Sequence, residues 1–475
     1  DGMSTEIDSR IRLTVDDINA TAQSIADLNE RIALAQANAG GQPPNDLLDQ
    51  RDQMIQDLAG KIGVTTVAAD DGSVNVYTGS GQALVLGQQF NALGVAVDPF
   101  GTGRLSVTFG GADVTGQVGG GELGGLIDTR RTVLDPARAQ LGNLAAGLAA
   151  AVNEQHAQGV DATGQRGGDF FAMPVPRVAA AGTNTGTAEV SASIADVSAL
   201  GTARYEMRFD GTDWQLLDAT TGASVAMTGS GTTADPFVAN GIEITVSGSA
   251  AAGDRFLVDP TSHAASDLRV AITDPAGIAA ASAVRASASV ANTGSARIGA
   301  LTVTDAANAD LQDAVQIVFT SATTYSVNGA GSYTYTPGEP IAVNGWSLSL
   351  EGAPATGDQF DVSAAVANSS DNGNARALAQ LVSARVLNGG RDSITSAQTS
   401  LTTRVGAQAR QAGVDRDSQA SLLAQTQAAR DSVSGVNLDE EAADLIRFQQ
   451  AYQAAAQVIA VADTVFQSLL DAARR

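Results

Sequence analysis

The sequence predicts an α+β multidomain chain: an elongated α-helical body with a small β unit, plus two inserted, mutually similar antiparallel β domains. Three observations predict it. Apolar residues recur every seven positions near both ends of the chain. Between those ends, residues 64–118 and 178–366 alternate with a period of two and carry Asp-Gly, Ser-Gly and Asn-Gly turn pairs. One β sequence frame also occurs twice, roughly 100 residues apart.

In chain order, Ile11, Ile18, Ile25 and Ile32 are each seven apart, with Val15 and Ala22 four after the first two. This spacing keeps one stripe of a helix over about 4–39 turned toward a partner. AGGQPPND (39–46) breaks that helix with two Gly and two Pro. Residues 47–62 read as a second helix, antiparallel to the first because the connection is short. Residues 64–118 read as a small antiparallel unit, with turns at DPFGTG and FGGAD. Residues 122–157 are helical again, and Pro136 marks a kink or early turn. The Gly-rich, Pro-closed loop GVDATGQRGGDFFAMPVP (159–176) ends the first half of the helical body, 1–176.

The duplicated stretch follows. YEMRFDGTDWQL (205–216) resembles VQIVFTSATTYSV (315–327), and FVANGIEITVSGSAAAGDRFLV (237–258) resembles IAVNGWSLSLEGAPATGDQFDV (341–362). The shared frame is N-G, an alternating strand, a small-residue turn, then G-D-x-F. Two similar β domains are therefore expected at 177–285 and 286–368, with 268–294 linking them and a candidate for strand exchange. Helices return in 369–433: a short one over 375–388, stopped by Gly389 and Gly390, and a long one over 392–433. The chain ends are thereby brought together around the inserted domains.

SGVN (434–437) reads as a hinge before the last segment, 434–475. Leu438, Leu445, Tyr452, Ile459 and Phe466 fall every seven residues there, with Phe448, Ala455, Ala462 and Leu469 three after most of these. Asn437 or Asp439 can cap the first turn, Asp439, Glu440 and Glu441 suit the helix N-terminus, and Arg474 and Arg475 suit its C-terminus. Such a helix is roughly 55 Å long. Its stripe serves either a neighbouring chain or an intramolecular bundle, and its length after a hinge favours the neighbour. The candidate assembly residues are Leu438, Leu445, Phe448, Tyr452, Ile459, Phe466 and Leu469, together with Ile11, Ile18, Ile25 and Ile32.

Composition narrows the classes. The 475 residues carry a net charge of -24, which disfavours nucleic acid and anionic membrane surfaces as partners. There is no Cys, so disulfides and thiolate metal sites are excluded. No apolar run is long enough to span a membrane, and no secretory signal is visible. The chain starts almost directly in a helical pattern, which reads as a missing upstream part. No motif for catalysis or for a cofactor is found. The two His, His156 and His263, lie outside any His pair and read as surface or turn residues. Asp70-Asp71-Gly72 and Asp210-Gly211-Thr212-Asp213 lack calcium-loop spacing and read as hairpin turns. In the repeated G-D-x-F, Gly-Asp is expected to make the turn, with Phe256 and Phe360 anchoring each core.

With these residues in hand, SGVNLDEEAADLIRFQQAYQAAAQVIAVADTVFQSLL (434–470) resembles the C-terminal signature of bacterial flagellar axial proteins. Its V-N-L-D-E-E-A-A-x-L-x-x-F-Q-Q-A-Y-x-A-A-A form is that of the hook-associated protein 1 family, hook–filament junction proteins. IDSRIRLTVDDINATAQSIADLNERIA, the PNDLLDQRD segment (44–52) and GDFFAMP (168–174) resemble the same family. The β domains match only loosely.

The resemblance implies a structural subunit, not an enzyme. It implies export through the flagellar type III apparatus without a cleaved signal, and an extracellular place at the hook–filament junction. The implied partners are copies of the chain in a junction ring, with head-to-tail contacts, the hook protein, the second hook-associated protein and an export chaperone. Family members also carry an N-terminal helical segment that pairs with the C-terminal helix. It is absent here, so the sequence reads as a fragment. The terminal helices are implied to fold on assembly. A different reading makes the β domains an adhesive or glycan-binding module using Trp214, Trp346 and Tyr325.

Overall fold

The computed structural model describes residues 2–38, 43–387, 390–434 and 438–473. The chain divides into two compact units, Asp1–Val405 and Gly406–Arg475. In the first, α1 (Gly2–Asn38) runs uninterrupted because no Gly or Pro follows Gly2. Its seam is spent inside the protein. Ile11, Ile18, Ile25 and Ile32 have no exposed surface, and Val15 and Ala22 are buried beside them. All of these but Ile32 share one core with Leu58 and Ile62 at the end of α2 (Asn45–Lys61), with Leu123 and Ile127 of α3 (Gly121–Thr129), and with Val76, Leu84, Val85, Leu93 and Val107 of the small β unit. The expectation that these four isoleucines face an assembly partner is therefore corrected: a helix two strands-and-helices deep in its own core has no seam left to offer.

The small β unit forms two sheets. Strands Val64–Ala68, Val74–Thr78, Ala83–Leu86 and Gln89–Phe90 pair consecutively, as do Leu93–Val97, Leu105–Phe109 and Ala112–Asp113. A polar pin fixes α1 to it. Asn29, at the seam position where Ala22 and Val15 sit one and two heptads earlier, is fully buried. Its Nδ2 donates to Val74 O (3.0 Å) and Gly87 O (2.7 Å), and its Oδ1 accepts from Val74 N (3.1 Å) and Arg51 (3.2 Å). Arg51 also donates to Gly72 O at 2.8 Å. A buried amide with every bond made fixes register where an aliphatic side chain would only fill space.

After α3 the chain stays helical through a π segment, Arg130–Leu134, into α4 (Asp135–Ala157). Pro136 thus neither breaks nor ends the helix. It sits in the first turn of α4, where its missing N–H costs little, and the widened turn lies just before it. Buried Arg130 leaves this turn to donate to Asp8 (2.9 Å) and to Leu105 O (3.0 Å), tying α4's entry to α1.

The two β domains share one topology. In the first, a five-stranded sheet runs Arg177–Ala180, Arg255–Asp259, Tyr205–Phe209, Trp214–Asp218, Ser224–Val225, over a three-stranded sheet Glu189–Ile194, Ile242–Ser247, Phe237–Ala239. In the second, the same order runs Val284–Ala288, Gln359–Ala364, Val315–Ser321, Thr324–Val327, Ala330–Thr334 over Arg297–Val303, Trp346–Glu351, Ile341–Val343. The paired Asn-Gly turns adopt positive φ at both central residues (Asn240 46°, Gly241 80°; Asn344 47°, Gly345 81°). That is the hairpin turn whose twist matches the strands it joins.

The linker does not exchange strands between the domains. Arg269–Val270, after a single helical turn α5 (Ala264–Asp267), pairs with Phe171–Ala172, and Ala281–Ser282 pairs with Gly159–Val160. Both bonds return the chain to the loop that follows α4. The second sheet then takes Val284–Ala288 whole, so its first strand crosses the expected boundary at 285/286.

Past the second domain, α6 (Gly373–Gln380) is shorter than the expected 375–388. The hydroxyls of Ser383 and Thr395 take the carbonyls of Gln380 and Val382, and Arg385–Leu387 pairs with Asp392–Ser393 in a small hairpin. Gly389, part of the expected stop, lies outside the described residues; Gly390 turns the hairpin at φ 80°. The long helix α7 (Ile394–Ser434) follows, and α8 (Leu438–Ala473) lies in the second unit.

Candidate functional site: the apolar stripe of the terminal helix

α8 contains no Gly or Pro and is rich in Ala, Gln and Leu, strong helix formers. Successive heptad positions drift by about 20° around a straight helix, so Leu445, Tyr452, Ile459 and Phe466 stay on one side. All four are exposed, as are Phe448 and Leu469; Tyr452 reaches 78% and Phe448 72%. Val458, Val465 and Leu470 flank the stripe and are exposed too, while exposed Ile446 and Val461 lie on the far side of the helix. Leu438 begins the helix, but its side chain lies outside the described residues, as do those of Asp439 and Glu440. The capping roles expected of Asn437, Arg474 and Arg475 also lie outside them.

Such exposure is expensive. Each large apolar side chain moved from water to a packed interface gains about 1.5–3 kcal/mol, so covering the six named residues is worth of the order of 10 kcal/mol before ordering costs. A contiguous apolar face of this extent marks an interaction surface rather than ordinary surface scatter. The seams of α1 and α8 therefore share a period and differ in what covers them.

The other residues singled out by the sequence are structural. His156 is buried, contrary to its reading as a surface or turn residue. Its Nδ1 meets Gly168 O at 2.7 Å, its Nε2 accepts from Ala279 N at 2.8 Å, and its ring stands edge-on to Phe170. One imidazole thus ties α4, the Gly-rich loop and the linker together. Asp71 accepts from Ser73 N, and Asp210 accepts from Thr212 N and Asp213 N, so both acidic pairs build turns. Among the described residues no group of three or more acidic, His or Cys side chains could hold a metal ion, and no helix is long and apolar enough to cross a membrane.

In G-D-x-F, Phe256 and Phe360 are core anchors, but the Asp does more than turn the chain. Buried Asp254 accepts from the N–H groups of Thr185, Gly186 and Ala251. Buried Asp358 accepts from those of Thr293, Gly294 and Ala355. Asn184 and Asn292 exchange two bonds each with the backbone at Arg255 and Gln359. An N-T-G triplet (184–186, 292–294) therefore closes onto each G-D-x-F. That triplet is a second repeated signal in the sequence. Backbone N–H bonds from Ala251 and Thr185 hold the Asp254 carboxyl below the usual range. For Asp358, burial pushes up and its three N–H bonds outweigh it, again leaving the carboxyl low.

Comparison with known proteins places these parts. Residues 1–171 match the flagellar hook-associated protein FlgK helical domain, 179–260 the flagellar hook-associated protein 1 D2-like domain, and 427–472 the flagellar basal body rod FlgEFG protein C-terminal region. Flagellar hook-associated protein 1 of Escherichia coli K12 is 30% identical over 472 residues, covering 98% of this chain and 71% of that protein. The Salmonella typhimurium LT2 protein of the same name is 30% identical over 473 residues, with the same coverage. The flagellar hook junction protein FlgK of Burkholderia pseudomallei superposes with a TM-score of 0.79 at 32% identity, covering 91% of this chain and 85% of that one. With that identity carried across nearly the whole chain, and the fold matched over the same span, this chain belongs to the flagellar hook-associated protein 1 (FlgK) family.

Proposed function

We propose that this chain is a subunit of the hook–filament junction of the bacterial flagellum and that α8 is its assembly surface. Family membership makes it a structural flagellar protein, not an enzyme. The observation that carries the proposal is the exposed stripe of α8, which coincides with the matched segment 427–472. Head-to-tail contact between copies, the heterologous kind that continues a ring or helical lattice, would cover such a stripe repeatedly. The partners in this reading are further copies, the hook protein, the second hook-associated protein and an export chaperone, with the protein exported without a cleaved signal and the β domains facing outward.

Replacing Leu445, Phe448 and Tyr452 together with Asp in the intact flagellar protein tests this. Cells should shed filaments and keep hooks, while the soluble protein retains its fold by circular dichroism. Normally attached, motile filaments would remove α8 from the assembly role. The adhesive or glycan-binding reading gains no support. Trp346 is fully buried, Tyr325 is nearly so, and half-buried Trp214 packs against Phe209 and Phe256.

A further inference from the structure

A second surface stands out by its charge. Where α1 begins and α4 enters, the helical body meets the first β domain around a cleft of about 610 Å³. Arg104, Arg130, Arg138, Arg177, Arg204 and His263 line it, against the carboxylates of Asp8, Asp135 and Asp259. Asp135 serves Arg104 (2.6 Å) and Arg204 (3.7 Å) at once, and Asp8 is committed to Arg130. Arg177, on the rim, is 55% exposed and reaches Asp267 only at 3.3 Å. Five guanidinium groups thus stand against four carboxylates when Asp267 is counted, in a chain whose net charge is -24. Burial pushes the His263 imidazole down, and Arg177 and Arg138 push the same way against Asp259 and Asp267.

The complement lies on the same molecule, out of its own reach. Asp46, Asp49, Asp52 and Asp57 of α2 are all exposed. At 100° per residue they fall within an arc of about 140°, on the side away from buried Arg51 and Leu58. Arg51 pins α2 at Asn29 and the cleft is pinned at Asp8, so Asp49 and Asp52 lie about 30 Å from the cleft along α1, while the far end of α2 comes closer, at Asp17. Guanidinium groups recognise carboxylates by planar, two-pronged bonding, which an ammonium group cannot supply.

We propose that the arginine cleft receives the acidic α2 face of a second copy of this chain, setting the direction of a head-to-tail contact. The contact rests on the assembly reading above and adds to it a named pair of surfaces. Copies this acidic repel one another at most approaches, and the cleft selects the one approach at which opposite charges meet. Because one surface is used on each side, the contact is heterologous and repeats along a row of copies. Such pairing between partly exposed groups weakens as salt screens it.

The test uses the full chain in two charge-reversed forms, Arg138→Glu with Arg177→Glu, and Asp49→Arg with Asp52→Arg, each checked for fold by circular dichroism. Sedimentation velocity at low ionic strength reads self-association. The wild type should associate, and added salt should reverse it. Each variant alone should associate at least tenfold more weakly, and an equimolar mixture of the two should recover association, since the reversed cleft of one meets the reversed helix of the other. A wild type that stays monomeric at millimolar concentration, variants that associate as the wild type does, or a mixture without recovery would each overturn the proposal. Any of these leaves the α8 stripe standing, because that is read separately from filament attachment.

Discussion

Ile18→Ala and Ile459→Ala make the sharpest comparison, because both residues occupy the same heptad position in long helices and differ only in what covers them. Ile18 has no exposed surface and touches the core shared by α1, α2 and the small β unit. Truncation removes three buried carbons. At about 0.8 kcal/mol for each, the lost transfer term alone is near 2.4 kcal/mol. The cavity left among Ile11, Ile25 and their neighbours adds to this, because a core held by β pairing on one side relaxes only partly, giving a total loss of about 3–4 kcal/mol. Ile459, 65% exposed, leaves no cavity, and its truncation should change stability by less than about 0.5 kcal/mol. The assay is urea denaturation read by hydrogen exchange at α1 amides, which reports the unit holding Ile18 even when the chain does not unfold as one. A loss below about 1 kcal/mol for Ile18→Ala, or an equal loss for Ile459→Ala, would refute the division of the two seams into core and surface.

Two further substitutions probe polar pins. Asn29→Leu keeps the branched shape with larger apolar ends and strands Val74 N–H, two carbonyls and one bond of Arg51; melting temperature should fall, with a cost of at least about 2 kcal/mol by thermal denaturation, and an unchanged transition would mean that water replaces the amide. The Asp254 and Asp358 clasps predict a pH dependence. Their folded carboxyls titrate below the unfolded value of about 3.9, so their stabilisation is complete above about pH 4 and is lost as pH falls through the lower folded values. Asp358→Asn should lower stability at neutral pH and flatten the decline below pH 4; an unaltered acid profile would exclude the clasp as its source.

The duplication of the β domains was legible because both copies solve the same local problems with the same residues. Asn-Gly supplies two positive-φ positions and Phe a core anchor, and these leave marks that survive when the surrounding strands diverge. The role of Asp254 and Asp358 was not legible from spacing, because two of the three N–H groups each gathers come from a loop some 65–70 positions earlier. His156 failed for a similar reason: its partners, Gly168 and Ala279, are joined to it only through the linker that packs back on the loop after α4. The turn after α6 takes a bond from Thr395, which lies beyond the small hairpin.

The two heptad seams set the limit of such reading most clearly. Periodicity states that a helix face must be covered, and it states nothing about the cover. In α1 the cover is encoded nearby: the short break at 39–46 returns α2 antiparallel, and the following strands lie on the same face. The seam also carries a polar exception, Asn29, whose bonds need a particular intramolecular partner at Val74 and Gly87. The α8 stripe carries no such exception: from Leu445 to Leu469 every seam residue is apolar, which suits a surface that meets other chains through shape and area. In α1 the buried polar residue marks a seam covered by its own fold, because its bonds go to Val74 and Gly87 of the same chain. Placing an Asn at Ile459 carries that difference over to α8: it should leave the isolated chain as stable as before and weaken filament attachment, and an Asn tolerated in motile cells would show that the stripe is covered by something other than close helix packing.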